Sequence, residues 1–143
     1  MSARVDALHM FLERIPFVAT LGMQCDVKGD EMTAILPFQE KLIGSVALKA
    51  LHGGAIGSFL ELCAMSQVFL KSELERPPRP INLTIDYLRS AKAEDLYARA
   101  HITKLGRRIA NVRCEAWQAD RAKPVATLHA HFLVTTPENK PDT

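Results

Sequence analysis

The chain has 143 residues, 48% of them hydrophobic and 24% charged, with a formal net charge of +2. That length suits one domain, 1–143, able to bury a core without disulfides or metal, and a charge so close to balance excludes nucleic acid or a membrane surface as the main partner. Cys25, Cys63 and Cys114 are few, far apart and without metal-ligand or CxxC spacing, so they read as reduced thiols of a cytoplasmic protein.

The N-terminus, MSARVDALHMFLERIP, lacks a secretory pattern, and no run reaches the roughly 18 uncharged apolar residues of a membrane span. Residues 4–14 read as a short amphipathic helix stopped before Pro16. Residues 19–28 alternate as a strand, with Leu21, Met23, Cys25 and Val27 on one face, and a turn at 28–31 leads to a second strand at 32–37. Residues 38–51 read as a loop. A helix is predicted from Gly54 to about Ser72, ended by Pro77, Pro78 and Pro80. Strands at 81–89, 95–105, 107–119 and 124–134 follow, the middle two joined by a hairpin at Gly106, and the tail from Pro137 is polar. A short helix, two strands, one long helix and a run of antiparallel strands make an α+β arrangement, in which one helix covers a sheet only if the sheet curls around it. The leftover face and edges favour a dimer.

The long helix carries the chemistry. Residues 53–70 read GGAIGSFLELCAMSQVFL, and Glu61 is the only charged side chain between His52 and Lys71. On a helical wheel Gly54, Gly57, Ser58, Ala64, Met65 and Val68 fall near Glu61, while Ile56, Phe59, Cys63 and Leu70 fall opposite. The carboxylate therefore stands on a face of mostly small residues, and desolvation there raises its pKa toward that of a general base. The bland alternative is a structural Glu, paired with an arginine or lying at a dimer surface. His52-Gly53-Gly54 opens the helix, where free N–H groups point outward and glycine allows close approach, a geometry suited to polarising a carbonyl. Gly53 and Glu61 are eight residues apart, about 12 Å along the axis, a gap that side-chain reach narrows and that two antiparallel copies of the helix at a dimer interface would close.

Leu51-His52-Gly53-Gly54 with an acid nine residues after the histidine, Asp86-Tyr87-Leu88-Arg89-Ser90-Ala91, Gly106-Arg107-Arg108 and the closing His131-Phe132-Leu133-Val134 resemble the hotdog-fold acyl-CoA thioesterases of the phenylacetate-pathway and 4-hydroxybenzoyl-CoA types. The resemblance covers about residues 15–135. It implies a curved antiparallel sheet around one central helix, and hydrolysis of an aryl or medium-chain acyl-CoA by a homodimer or a dimer of dimers. It implies no metal and no cofactor, CoA being part of the substrate. Carried over, Glu61 matches the catalytic acid, acting as nucleophile or as base for water, Gly53 the backbone donor to the thioester carbonyl, and His52 the histidine that supports the helix start. Many relatives have Asp where Glu61 stands, and often Asn or Gln six or seven residues before the histidine; here Ser45 and Val46 hold that spacing, with Gln39 as a substitute if the loop folds back.

Gly54, Ser58 and Met65 are candidate substrate contacts, and Phe59, Phe69 and Tyr87 candidate walls of an acyl pocket. Arg89 and Arg107, with Lys92 and Arg108 behind them, are candidates for the CoA phosphates, since arginine suits bidentate phosphate contacts. His129 and His131 share a strand face but lack a third metal ligand. Two rival readings stay open: a hotdog hydratase or dehydratase acting on enoyl thioesters through His52, and a non-catalytic acyl-CoA binding protein.

Overall fold

The computed structural model describes residues 3–72 and 76–134. The polar tail and part of the proline-rich helix break lie outside these residues. Helix α1 (Ala3–Glu13) is followed by α2 (Pro16–Leu21), strands β1 (Gln24–Lys28) and β2 (Glu31–Leu36), a 3-10 turn (Glu40–Leu42), strands β3 (Ile43–Ser45) and β4 (Ala50–Leu51), helix α3 (Gly53–Lys71), and strands β5 (Arg79–Tyr87), β6 (Leu96–Leu105), β7 (Ile109–Trp117) and β8 (Ala126–Leu133). One six-stranded sheet runs β1-β2-β6-β7-β8-β5, and β3-β4 form a small separate hairpin. Every pairing is antiparallel. This is the hotdog architecture, with α3 as the filling.

Three sequence expectations change. Residues 19–21 belong to a helix, because Pro16 opens α2 instead of only ending α1; proline's fixed φ suits a first helical position. Gly22, at φ 80°, closes α2 in the left-handed region, so the strand starts at Gln24. The loop at 38–51 holds the 3-10 turn and the β3–β4 hairpin, elements too short for a periodic signal. The alternation of Ile81, Leu83, Ile85 and Tyr87 is real, yet only Ile85 is half-buried. Among the described residues β5 is an edge strand, paired with β8 on one side only.

Ala98, Ala100, Ala110, Val112, Cys114, Ala116, Ala126, Leu128, Ala130 and Phe132 turn one face of the sheet onto α3, and all are buried. Small alanines on the strands leave room for Phe59, Leu60 and Leu62 on the helix. By length and apolar composition α3 would cross a membrane, but most of it is buried inside the protein. The thiols of Cys63 and Cys114 are buried among these residues. Burial pushes the half-covered Cys25 thiol up to about 12, which keeps it unreactive. At the far end of the core, α1 packs on α3 through Phe11 stacked against Phe69, ring centroids 4.9 Å apart. The Arg4 guanidinium lies 4.3 Å from the Phe69 ring.

The C-terminal half of α3 is tied to the β1–β2 turn by Gln67, which is 3% exposed. Its Oε1 accepts from Met32 N–H at 3.1 Å and its Nε2 donates to Asp30 O at 2.8 Å. Replacing Gln67 by Leu strands one donor and one acceptor. The expected loss is about 1–3 kcal/mol per group left without a partner, measured by urea denaturation; an unchanged midpoint would show that water repairs both.

Candidate active site

The first turn of α3 has four N–H groups without helical partners. His52, in extended conformation, serves three of them. Its carbonyl accepts from Ala55 N–H at 3.0 Å and Ile56 N–H at 3.1 Å, and its Nδ1 accepts from Gly54 N–H at 2.9 Å. The N–H of Gly53 is left without a partner among the described residues. It is a single, defined donor at the positive end of a nineteen-residue helix. Because Nδ1 accepts, the neutral ring carries its proton on Nε2. The imidazole fits between two glycines: a Cβ on Gly44 would come within 2.6 Å of His52 Cα, and one on Gly54 within 3.0 Å of Nδ1.

Along α3, Gly54 is exposed and Ser58, Glu61 and Met65 are half-buried, while the other residues from Ile56 to Leu70 are buried. The small-residue face of the helical wheel therefore splits. Gly57, Ala64 and Val68 are covered, and an open stripe of Gly54, Ser58, Glu61 and Met65 remains. Glu61 makes no hydrogen bond or ion pair with any described residue, which removes the arginine-paired alternative within one chain. Burial holds its carboxyl above the ordinary carboxylate range, because the charged form loses water there. Ser58 does not serve Glu61: its Oγ donates to Gly54 O at 2.8 Å, one turn back.

β5 lies beside this stripe at close range. A Cβ on Gly57 would stand 2.9 Å from Ile85 Cδ1 and 3.1 Å from the Tyr87 hydroxyl. Glycine there is what lets strand and helix approach. The Tyr87 hydroxyl donates to Gly53 O at 2.8 Å. A groove of about 380 Å³ at this end is lined by Leu51, Gly53, Ile56, Tyr87 and Arg89 among others. Arg89 stands at its rim, its Nη1 donating to Pro124 O at 2.7 Å.

The remaining expectations divide. Arg107 is exposed on the β6–β7 hairpin and lines a separate depression of about 670 Å³ with Lys104, Arg108 and His131. Within one chain that depression is remote from Gly53. The hairpin end of β7, at Ile109, registers through Leu133 with Arg79, whereas Tyr87 registers with Ala126, and the eight residue steps from Arg79 to Tyr87 span about 26 Å of strand. Gln39 does not fold back: its Nε2 donates to Leu21 O at 3.1 Å. Ser45 Oγ accepts from Leu48 N–H within the β3–β4 turn, and Val46 is 84% exposed. Phe59 is fully buried and Phe69 is stacked on Phe11, so neither faces the groove, whereas Tyr87 does. His129 and His131 lie exposed on the outer face, with His131 Nδ1 2.7 Å from Asn82 Oδ1. Among the described residues no cluster of His, Cys, Asp and Glu is placed to hold a metal. The contact between Tyr87 and Gly53, 34 residues apart, had no local signal in the sequence.

A family model for the Thioesterase superfamily matches residues 48–125, a span that contains the helix start, Glu61 and β5. The chain belongs to this superfamily. It is 30% identical to the medium/long-chain acyl-CoA thioesterase YigI of Escherichia coli K12, over 88% of this chain and 90% of that one. A solved structure from Chromobacterium violaceum is 35% identical, covers 96% of this chain and 99% of its own, and superposes with a TM-score of 0.75. A phenylacetic acid degradation-related protein from Ralstonia eutropha JMP134 is 25% identical, with coverages of 89% and 98% and a TM-score of 0.75. The protein is thus a thioester hydrolase of hotdog fold.

The state of Glu61 is testable through stability. Its raised pKa means that the folded protein binds a proton more readily than the unfolded chain between 4.5 and the raised value. Ionisation therefore costs stability as pH rises through that window. Glu61→Gln should unfold at higher denaturant than wild type at pH 7, with the difference vanishing as pH falls below about 4.5, the ordinary value for a glutamate carboxyl. A destabilised variant at pH 7 would reveal a partner for the carboxylate.

Proposed function

We propose that the protein hydrolyses acyl-CoA thioesters at two equivalent sites shared across a homodimer. The observation that carries this reading is the pairing of two unsatisfied groups on one helix: the free N–H of Gly53 and the unpartnered, half-buried carboxylate of Glu61. They lie about 12 Å apart along the axis, too far to serve one carbonyl within a chain. Two α3 helices set antiparallel would bring each helix start to the other copy's carboxylate. The free edge of β5, with Ile81 52%, Tyr87 54% and Leu88 52% exposed, supplies the surface for that pairing. In such a pairing the Arg79 end of one β5 lies beside the Tyr87 end of the other. The Arg107 hairpin of one copy then flanks the Arg89 rim of the other, and both arginines are offered to the CoA phosphates.

The Gly53 N–H donates to the thioester oxygen and stabilises the negative charge that develops there. Glu61 of the partner subunit, desolvated and basic for a carboxylate, takes a proton from water. The resulting hydroxide adds to the carbonyl carbon, the tetrahedral intermediate collapses, the C–S bond breaks and CoA leaves as thiolate. Gly54, Ser58 and Met65 line the path of the acyl group, and His52 holds the helix start. Medium or longer aliphatic chains are the favoured substrates, as in the name of the Escherichia coli relative, with aryl groups the alternative. We place the activity in the cytoplasm, where acyl-CoA is made.

Thiol release from a panel of aliphatic and aryl acyl-CoA substrates is the deciding assay. Wild type should turn over and Glu61→Gln should lose roughly 10²–10⁴-fold in kcat, the range of general-base contributions, while still binding substrate. Near-wild-type turnover by the variant would sink the assignment. Binding without hydrolysis by wild type would favour a carrier, and water addition to an enoyl thioester would favour a hydratase. A charge on the free edge, Leu83→Arg, should reduce the dimer to monomers in sedimentation and abolish turnover together with it.

A further inference from the structure

We propose that Tyr87 is a positioning residue for hydrolysis: through its bond to the Gly53 carbonyl it fixes the direction of the one free N–H at the helix start. The proposal rests on the thioesterase reading above.

Two consecutive glycines open α3, and glycine is the residue that loses most freedom on ordering. Left alone, a Gly-Gly helix start would fray, and the donor at Gly53 would sample several directions. The restraint has to come from outside the dipeptide. On the N-terminal side, the His52–Gly53 peptide is fixed by its carbonyl, which accepts from Ala55 and Ile56. On the C-terminal side, the Gly53–Gly54 peptide is held at both polar atoms. The Gly54 N–H donates to His52 Nδ1 at 2.9 Å and the Gly53 C=O accepts from the Tyr87 hydroxyl at 2.8 Å. With both flanking peptide planes held, the Gly53 N–H has one orientation. Of these restraints, only the Tyr87 bond comes from outside the residues that form the helix start.

The Tyr87 ring adds a wall to the same atom. A Cβ on Gly53 would meet ring atoms Cε1 and Cζ at 3.5 and 3.6 Å. The ring therefore stands in van der Waals range of the position a side chain would take, and it lines the groove with Gly53. The approach depends on Gly57, since a methyl there would stand 3.1 Å from the Tyr87 hydroxyl and would push it by a few tenths of an ångström. Gly57 and Tyr87 thus form one device for aiming Gly53, built where the chain supplies no Asn or Gln at the usual spacing before His52.

Misplacing a reacting group by about 1 Å costs on the order of 10²-fold. Losing one of several restraints should cost less. Tyr87→Phe keeps the ring and removes only the hydroxyl; it should lower kcat about tenfold and leave KM within about twofold. Gly57→Ala should lower kcat about threefold, also without a KM change. In the Phe variant the Gly54 amide should exchange with deuterium faster than in wild type, while the amides of Phe59 and Leu60 keep their protection. A kcat within twofold of wild type in both variants would overturn the proposal. So would a rise in KM alone, which would make Tyr87 a substrate contact, or a fall in kcat with unchanged Gly54 exchange. If the Phe variant proves too unstable to assay, exchange at Gly54 in Gly57→Ala decides the same question. Absence of hydrolysis by wild type is a different failure: it removes the thioesterase reading, and the exchange experiment still reports whether Tyr87 holds the helix start.

Discussion

A nineteen-residue helix with twelve buried residues and one carboxylate has to be surrounded, and almost every other feature of the molecule follows from how that is done. Five strands meet the helix, and the core closes because the alanines of β6, β7 and β8 leave depth for the phenylalanine and leucines of α3. Fully burying each large apolar side chain contributes about 1.5–3 kcal/mol, so the helix is held firmly enough to carry unsatisfied polar groups at two places. A helix stabilised only by its own propensity would not hold a Gly-Gly start in register.

Those two places are where covering stops. At the N-terminus, His52 uses its carbonyl and one ring nitrogen to satisfy three donors and leaves the Gly53 N–H. Midway along, the sheet ends at β5 and the stripe of Gly54, Ser58, Glu61 and Met65 is not covered. Desolvation from one side raises the carboxyl pKa, and no cation among the described residues lowers it again. In the homodimer we propose, a second copy covers the open stripe beside the free strand edge and completes both half-sites.

Much of the candidate site is legible in the sequence because it depends on local spacing. A single acid in an otherwise uncharged helix and a His-Gly-Gly entry can be read without knowing what surrounds them. Ser58 and Gln39 illustrate the opposite case. Each has polar atoms at a suitable distance along the chain, yet Ser58 bonds back to Gly54 and Gln39 is committed to Leu21. Arg107 and Arg89 both stand at strand ends, but at opposite ends of the sheet. Whether they act together is a property of assembly.

The sequence by itself determined the central helix, its lone carboxylate, the glycine entry and the antiparallel run, since each rests on periodicity or on the conformational limits of glycine and proline within a few residues. Tertiary structure alone decided which face of that helix stays open, that β5 is an edge with its apolar residues uncovered, and that Tyr87 reaches Gly53 across 34 residues. Those outcomes depend on strand order and on the close approach allowed by Gly57. Strand order is set by packing between distant segments, and no local pattern encodes it.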